Sequence, residues 1–149
     1  MIKCLDTTLL LHLVDKASPY HQRAADIVEQ AEAGLWRSCV CFVSLMEFVA
    51  IATNEQRVRY PMTPKDAQNL VEKISKAPQP EILYSSMQIV RDSFALMEKY
   101  RSQRRHFGET LIAATMLAHG VKTIITTQSR HFQAIRELQV ENPFETLFV

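Results

Sequence analysis

The sequence predicts an α/β fold with a central, mostly parallel sheet. Three observations carry that expectation. Short apolar runs with strand character alternate with longer segments of helical periodicity. Capping residues, prolines and glycines fall between them. The 149 residues, 47% hydrophobic and 22% charged, suit one domain, over 1–149, with a substantial core.

Ile2–Leu5 reads as the first strand and Thr7–Val14 as a short helix. Past the Ser18-Pro19 break, Tyr20–Ala33 forms an amphipathic helix with Ala24, Ile27, Val28 and Ala31 on one face. Gly34 is placed to end it. Ser38–Cys41 is the second strand, and Ser44-Leu45-Met46-Glu47 has the form of a capping box ahead of Phe48. Thr63-Pro64 opens a helix to about Lys76. Glu81–Tyr84 is a short strand, and Ser85-Ser86 caps a helix to about Tyr100. Glu109–His119 is a helix ended by Gly120, followed by a β-branched strand at Val121–Thr126. Arg130–Leu138 reads as a short helix and Val140–Pro143 as an edge strand.

Several α/β chemistries are excluded by what is missing. The three glycines, Gly34, Gly108 and Gly120, build neither a dinucleotide fingerprint nor a P-loop. No Gly-x-Ser-x-Gly elbow exists. An aspartyl phosphatase would want a second Asp two after Asp6, where Thr8 stands. No apolar run approaches the roughly 18 residues that cross a bilayer, and the N-terminus makes a poor signal peptide, so a cytoplasmic location is expected. Cys4, Cys39 and Cys41 lack metal-ligand spacing and read as buried reduced thiols. Seventeen Lys plus Arg against sixteen Asp plus Glu leave +1, which says nothing about nucleic acid. The local run Lys99, Arg101, Arg104, Arg105, His106 reads first as a solvated helix end.

Three carboxylates stand out, because acids on apolar elements are costly unless paired, solvated or neutralised by a cation. Asp6 follows the first strand, Glu47 interrupts Val40–Val49, and Glu109 opens Glu109–Ala118. Each also has a structural reading: Asp6 as an N-cap, Glu47 as the acid of the capping box, Glu109 as a helix-dipole carboxylate contributing about 0.3–1 kcal/mol. Open parallel sheets place their ligands at the carboxyl ends of strands, where such acids would gather.

Gly108-Glu109-Thr110-Leu111-Ile112-Ala113-Ala114-Thr115, continuing through Gly120 to Thr126-Thr127-Gln128-Ser129-Arg130-His131-Phe132, resembles the C-terminal half of PIN-domain nucleases. Asp6-Thr7 after the first strand and Glu47 after the second extend the likeness over essentially the whole chain. It is most similar to the VapC-type toxin branch. The resemblance implies a three-layer α/β/α domain and a Mg²⁺- or Mn²⁺-dependent endoribonuclease acting as the toxin of a toxin–antitoxin pair. It also implies an RNA substrate, a small antitoxin and a homodimer. Asp6, Glu47 and Glu109 match the family's metal-holding acids, with Thr7, Thr127 and Ser129 in supporting places. Arg104 and Arg105 become candidates for RNA phosphates. Two positions depart from the pattern: Glu109 stands where Asp is usual, and Ser129 where a fourth acid is expected. They keep open the alternative of a weakened PIN-fold module that binds RNA or protein.

Overall fold

Successive side chains of a strand point to opposite faces, and here both faces are apolar, so the sheet needs a helical layer on each. The computed structural model describes residues 1–145 and contains that sheet. The strands are β1 (Ile2–Leu5), β2 (Arg37–Cys41), β3 (Glu81–Leu83), β4 (Thr123–Ile125) and β5 (Gln139–Glu141). All neighbours pair in parallel, in the order β3-β2-β1-β4-β5.

Seven α-helices connect them among the described residues: α1 (Thr7–Val14), α2 (His21–Glu32), α3 (Phe42–Ala52), α4 (Pro64–Lys76), α5 (Met87–Lys99), α6 (Phe107–Ala118) and α7 (Ser129–Gln133). The strand period sorts the core into two halves. Cys4, Cys39, Cys41, Leu83 and Ile124 face one way and pack with Ile112 and Met116 of α6 and Phe132 of α7. Leu5 and Ile125 face the other way, with Leu9 of α1 and Ala24, Ile27 and Ala31 of α2. Val40 joins that side beside Leu10, Leu45 and Phe48. The result is the expected α/β/α sandwich. All three thiols are buried and unbridged. Trp36 is core, with Lys3 Nζ 5.3 Å from its ring centroid.

Local chemistry explains most boundaries. Thr63 Oγ1 accepts from Asp66 N at 3.1 Å, with Pro64 behind it, and Ser86 Oγ accepts from Ile89 N at 3.2 Å. Gly34 and Gly120 take φ of 84° and 72°, the left-handed conformation that ends a helix cheaply only without a Cβ. The expected capping box does not form. Helix α3 starts at Phe42, directly after β2, which puts Ser44 inside its first turn, fully buried and with no hydrogen-bond partner for its hydroxyl among the described residues. Glu47 is therefore free of capping duty. Helix α6 likewise starts two residues ahead of Glu109, and α7 stops at Gln133, well short of Leu138. No helix among the described residues is long and apolar enough to cross a membrane.

This strand order places β1 between β2 and β4, so the chain leaves β1 on one side for β2–β3 and later adds β4–β5 on the other. Connections diverge there, and a crevice opens outside the carboxyl ends of β1 and β4. Asp6 occupies it, its N–H continuing the ladder to Ile125 O at 3.1 Å.

Candidate functional site

Asp6 ends β1 and stands at the N-cap position of α1, yet its carboxylate makes no capping hydrogen bond. It is instead taken up by hydroxyls. Thr126, the residue after β4, donates to Asp6 Oδ2 at 2.6 Å, and Thr8 donates to the same oxygen at 3.3 Å. Asp6 is only 3% exposed and Thr126 is fully buried. Burial pushes the Asp6 carboxyl up from its ordinary range; the Thr126 hydrogen bond opposes that, and the nearby Glu109 charge adds to it.

Glu47 comes from the second turn of α3. Thr7 Oγ1 donates to Glu47 Oε2 at 3.0 Å, so the first residue of α1 orients an acid from another helix. The other oxygen lies against the start of α6. A Cβ built on Gly108 would come within 2.7 Å of Glu47 Oε1. Gly108 has no positive φ, so the position needs glycine for space and not for conformation. Burial raises the Glu47 carboxyl as well; Thr7 works against it, and Glu109 and Asp6 add repulsion.

Asp6, Thr7, Thr8, Glu47 and Glu109 line one cleft of about 570 Å³, with Arg57 and Gln128. A second, apolar cavity of about 390 Å³ lies among Leu10, Leu13, Val28, Leu70 and Ile74 and brings together no such set of acids. Within the described residues, no Lys or Arg comes within ion-pair distance of Asp6, Glu47 or Glu109. The nearest ring to Glu109 is His131, with Nδ1 at 3.3 Å from Oε1. The cleft is thus a pocket of carboxylates steadied by threonine hydroxyls and short of positive charge. Oxygen donors without a cationic partner are what a hard divalent ion requires.

A PIN domain model matches residues 3–138. The chain belongs to the PIN domain family. Ribonuclease VapC48 of Mycobacterium tuberculosis is 20% identical over 144 residues, spanning 97% of this PIN domain and 99% of the relative. Among solved structures, VapBC-1 from nontypeable Haemophilus influenzae aligns with a TM-score of 0.68 at 20% identity, covering 95% of this chain and 98% of that one. VapC20 of M. tuberculosis, described as a toxin that cleaves the sarcin–ricin loop, aligns with a TM-score of 0.64 at 11% identity, covering 82% and 86%. The two structural likenesses carry the fold.

The PIN domain brings Asp6, Thr7, Glu47 and Glu109 to one cleft, while the other four anticipated positions fall outside its lining. Ser129 is buried at the start of α7 with its hydroxyl donating to Glu145 Oε1 at 3.2 Å, outside the cleft lining. The side chain lining the cleft from that turn is Gln128. Thr127 contributes through its backbone N–H, which donates to Thr8 Oγ1 at 3.3 Å, while the hydroxyl on Asp6 belongs to Thr126. Arg104 turns to Glu98 at 3.4 Å and Arg105 is exposed; both lie in a 3₁₀ helix, Arg101–Arg105, and neither lines the cleft. The cation at the cleft is Arg57, from the loop after α3. Sequence reasoning missed Thr126, Arg57, Gln128 and His131. For Thr126 the signal was its place as the first polar residue after β4, next to the strand that carries Asp6.

Proposed function

We propose that this PIN domain is a Mg²⁺- or Mn²⁺-dependent endoribonuclease and the toxin of a toxin–antitoxin pair. The observation that carries the reading is the cleft itself: Asp6, Glu47 and Glu109 line it and, among the described residues, no Lys or Arg pairs with any of them. The names of the relatives support the substrate class and the antitoxin partner. Asp6 and Glu47 would hold the ion, with Glu109 completing the set. The bound ion would draw in an anionic phosphodiester and lower the pKa of a water. Thr126, Thr8 and Thr7 fix the carboxylates against rotation, so little reorganisation is left for ion binding. Arg57 offers the substrate phosphates a cation from the loop wall. Exposed Phe42, Met46, Tyr84 and Met87 support the homodimer of this reading.

Gln128 favours a second reading. An amide occupies the cleft wall on the turn where a fourth acid was expected, which fits a weakened module that binds RNA without cutting it. RNA cleavage assays with Mg²⁺ and Mn²⁺ separate the two. The nuclease predicts metal-dependent cleavage lost in both Asp6→Asn and Glu47→Gln. RNA bound but uncut at saturating metal selects the module.

A further inference from the structure

Beside the acidic cleft lies a cluster of different chemistry. His106, Glu109 and His131 are all half-buried, and one ligand atom from each lies within 4.8 Å of the others. We propose that these three side chains form a binding site for a borderline transition-metal cation of the Zn²⁺, Co²⁺ or Ni²⁺ class, adjacent to the oxygen-only site around Asp6 and Glu47 and sharing Glu109 with it.

Three features carry this. The first is donor type. Two imidazole nitrogens and one carboxylate oxygen select zinc-like ions over Mg²⁺, which favours oxygen and retained water. The second is geometry. His131 Nδ1 is 3.3 Å from Glu109 Oε1, and adjacent ligands on a tetrahedral ion with bonds of about 2.0–2.1 Å are separated by about 3.4 Å. The same Nδ1 is buried and makes no hydrogen bond among the described residues, so the close approach to the carboxylate is unaligned for one. An unpaired buried nitrogen is costly, and a shared cation would satisfy both groups. The third is rigidity. His106 caps α6 with its carbonyl accepting from Thr110 N at 2.9 Å and Thr110 Oγ1 at 2.7 Å. That hydroxyl is also 3.0 Å from Oε1 of the fully buried Gln103, which ties the 3₁₀ helix to α6. His131 sits beside Phe132, which is fully buried in the core. The two rings stack with centroids 4.2 Å apart at 24°, presenting their edges to Glu109 together. Three protein ligands leave coordination positions open to water.

The site does not depend on the nuclease reading, and titration of the untagged chain with Co²⁺ alone tests it through visible absorption. Nitrogen ligation at low coordination number gives strong bands, whereas an oxygen-only site gives weak ones. The wild-type chain and Asp6→Asn are expected to develop the strong spectrum, with Zn²⁺ displacing Co²⁺. His131→Gln and His106→Gln should each weaken Co²⁺ binding by about 100-fold or more, with far-UV circular dichroism showing both folded. A folded His106→Gln/His131→Gln double variant that keeps the wild-type spectrum overturns the proposal. So does a spectrum lost in Asp6→Asn but kept in His131→Gln.

Discussion

The two walls of the cleft are built differently. On the wall built by β1, β4, α1 and α3, Asp6 is almost fully buried and held by two hydroxyls, and Glu47 is held by a third. On the α6/α7 wall, Glu109 is half-exposed and lies beside the His131 and His106 rings, without an aligned hydrogen bond to His131 Nδ1. The first wall is preorganised by residues at strand ends and first helical turns, where the backbone itself is fixed. The second rests on one carboxylate set beside two imidazole rings. Variants of the two walls should therefore differ in kind and in size.

The largest effect is expected for Asp6→Asn. It removes charge at the most constrained point, and metal affinity should fall by more than about 100-fold. Calorimetric titration with Mn²⁺ measures this, and an unchanged affinity would remove Asp6 from the site. Gly108→Ala comes next. The new Cβ would meet Glu47 Oε1, the end of a flexible side chain, so Glu47 must turn away at small cost in folding. Cleavage should drop sharply while the melting temperature barely moves; an equal loss of both would mean a packing role for Gly108 instead.

Thr126→Val acts on the Asp6 carboxylate. It leaves a buried carboxylate with one hydroxyl fewer, costs roughly 1 kcal/mol of stability, and should push the Asp6 carboxyl higher still. Urea unfolding together with the pH profile of Mn²⁺ binding separates these consequences. Wild-type stability should also depend on pH in a defined direction. The Asp6 and Glu47 carboxyls are raised in the folded chain, so the native state keeps protons that the unfolded chain has released. Metal-free stability attributable to them is therefore present near the ordinary carboxylate value of about 4 and declines as pH rises through the raised values. Mn²⁺ binding requires the deprotonated forms, so the stabilisation it gives should grow over the same window. Thermal melts across pH with and without Mn²⁺ should diverge as pH rises. The smallest effect is expected for Ser129→Ala, which removes a contact to Glu145 away from the cleft and should leave cleavage nearly unchanged. By the same geometry, Gln128→Asp and not Ser129→Asp is the change that adds a carboxylate to the cleft.

Legibility in the sequence followed the range of the interaction. Strand period, proline at the first turn of α4 and glycine after α2 and α6 are local, and the corresponding elements appear where the sequence places them. The Ser44–Glu47 pattern misled because it matches a cap by spacing, whereas the chain passes from β2 into α3 with Cys41 at the cap position. A pattern of four residues carries no information about where the preceding strand ends. Asp6, Glu47 and Glu109 could be found as isolated acids in apolar surroundings. Their partners could not be ranked that way. Thr126 is 120 residues from Asp6 and becomes its neighbour only through the β1–β4 pairing. His106 and His131 meet through the packing of α7 against α6, which no spacing announces.

In the proposed site Asp6 and Glu47 hold a divalent cation and Glu109 closes on it. Anomalous diffraction from a Mn²⁺-soaked crystal tests it most directly. A peak within bonding distance of Asp6 and Glu47 carboxylate oxygens, with Glu109 turned toward it, is the expected result. Full Mn²⁺ exposure with no peak at those two carboxylates would rule out a metal site at Asp6 and Glu47.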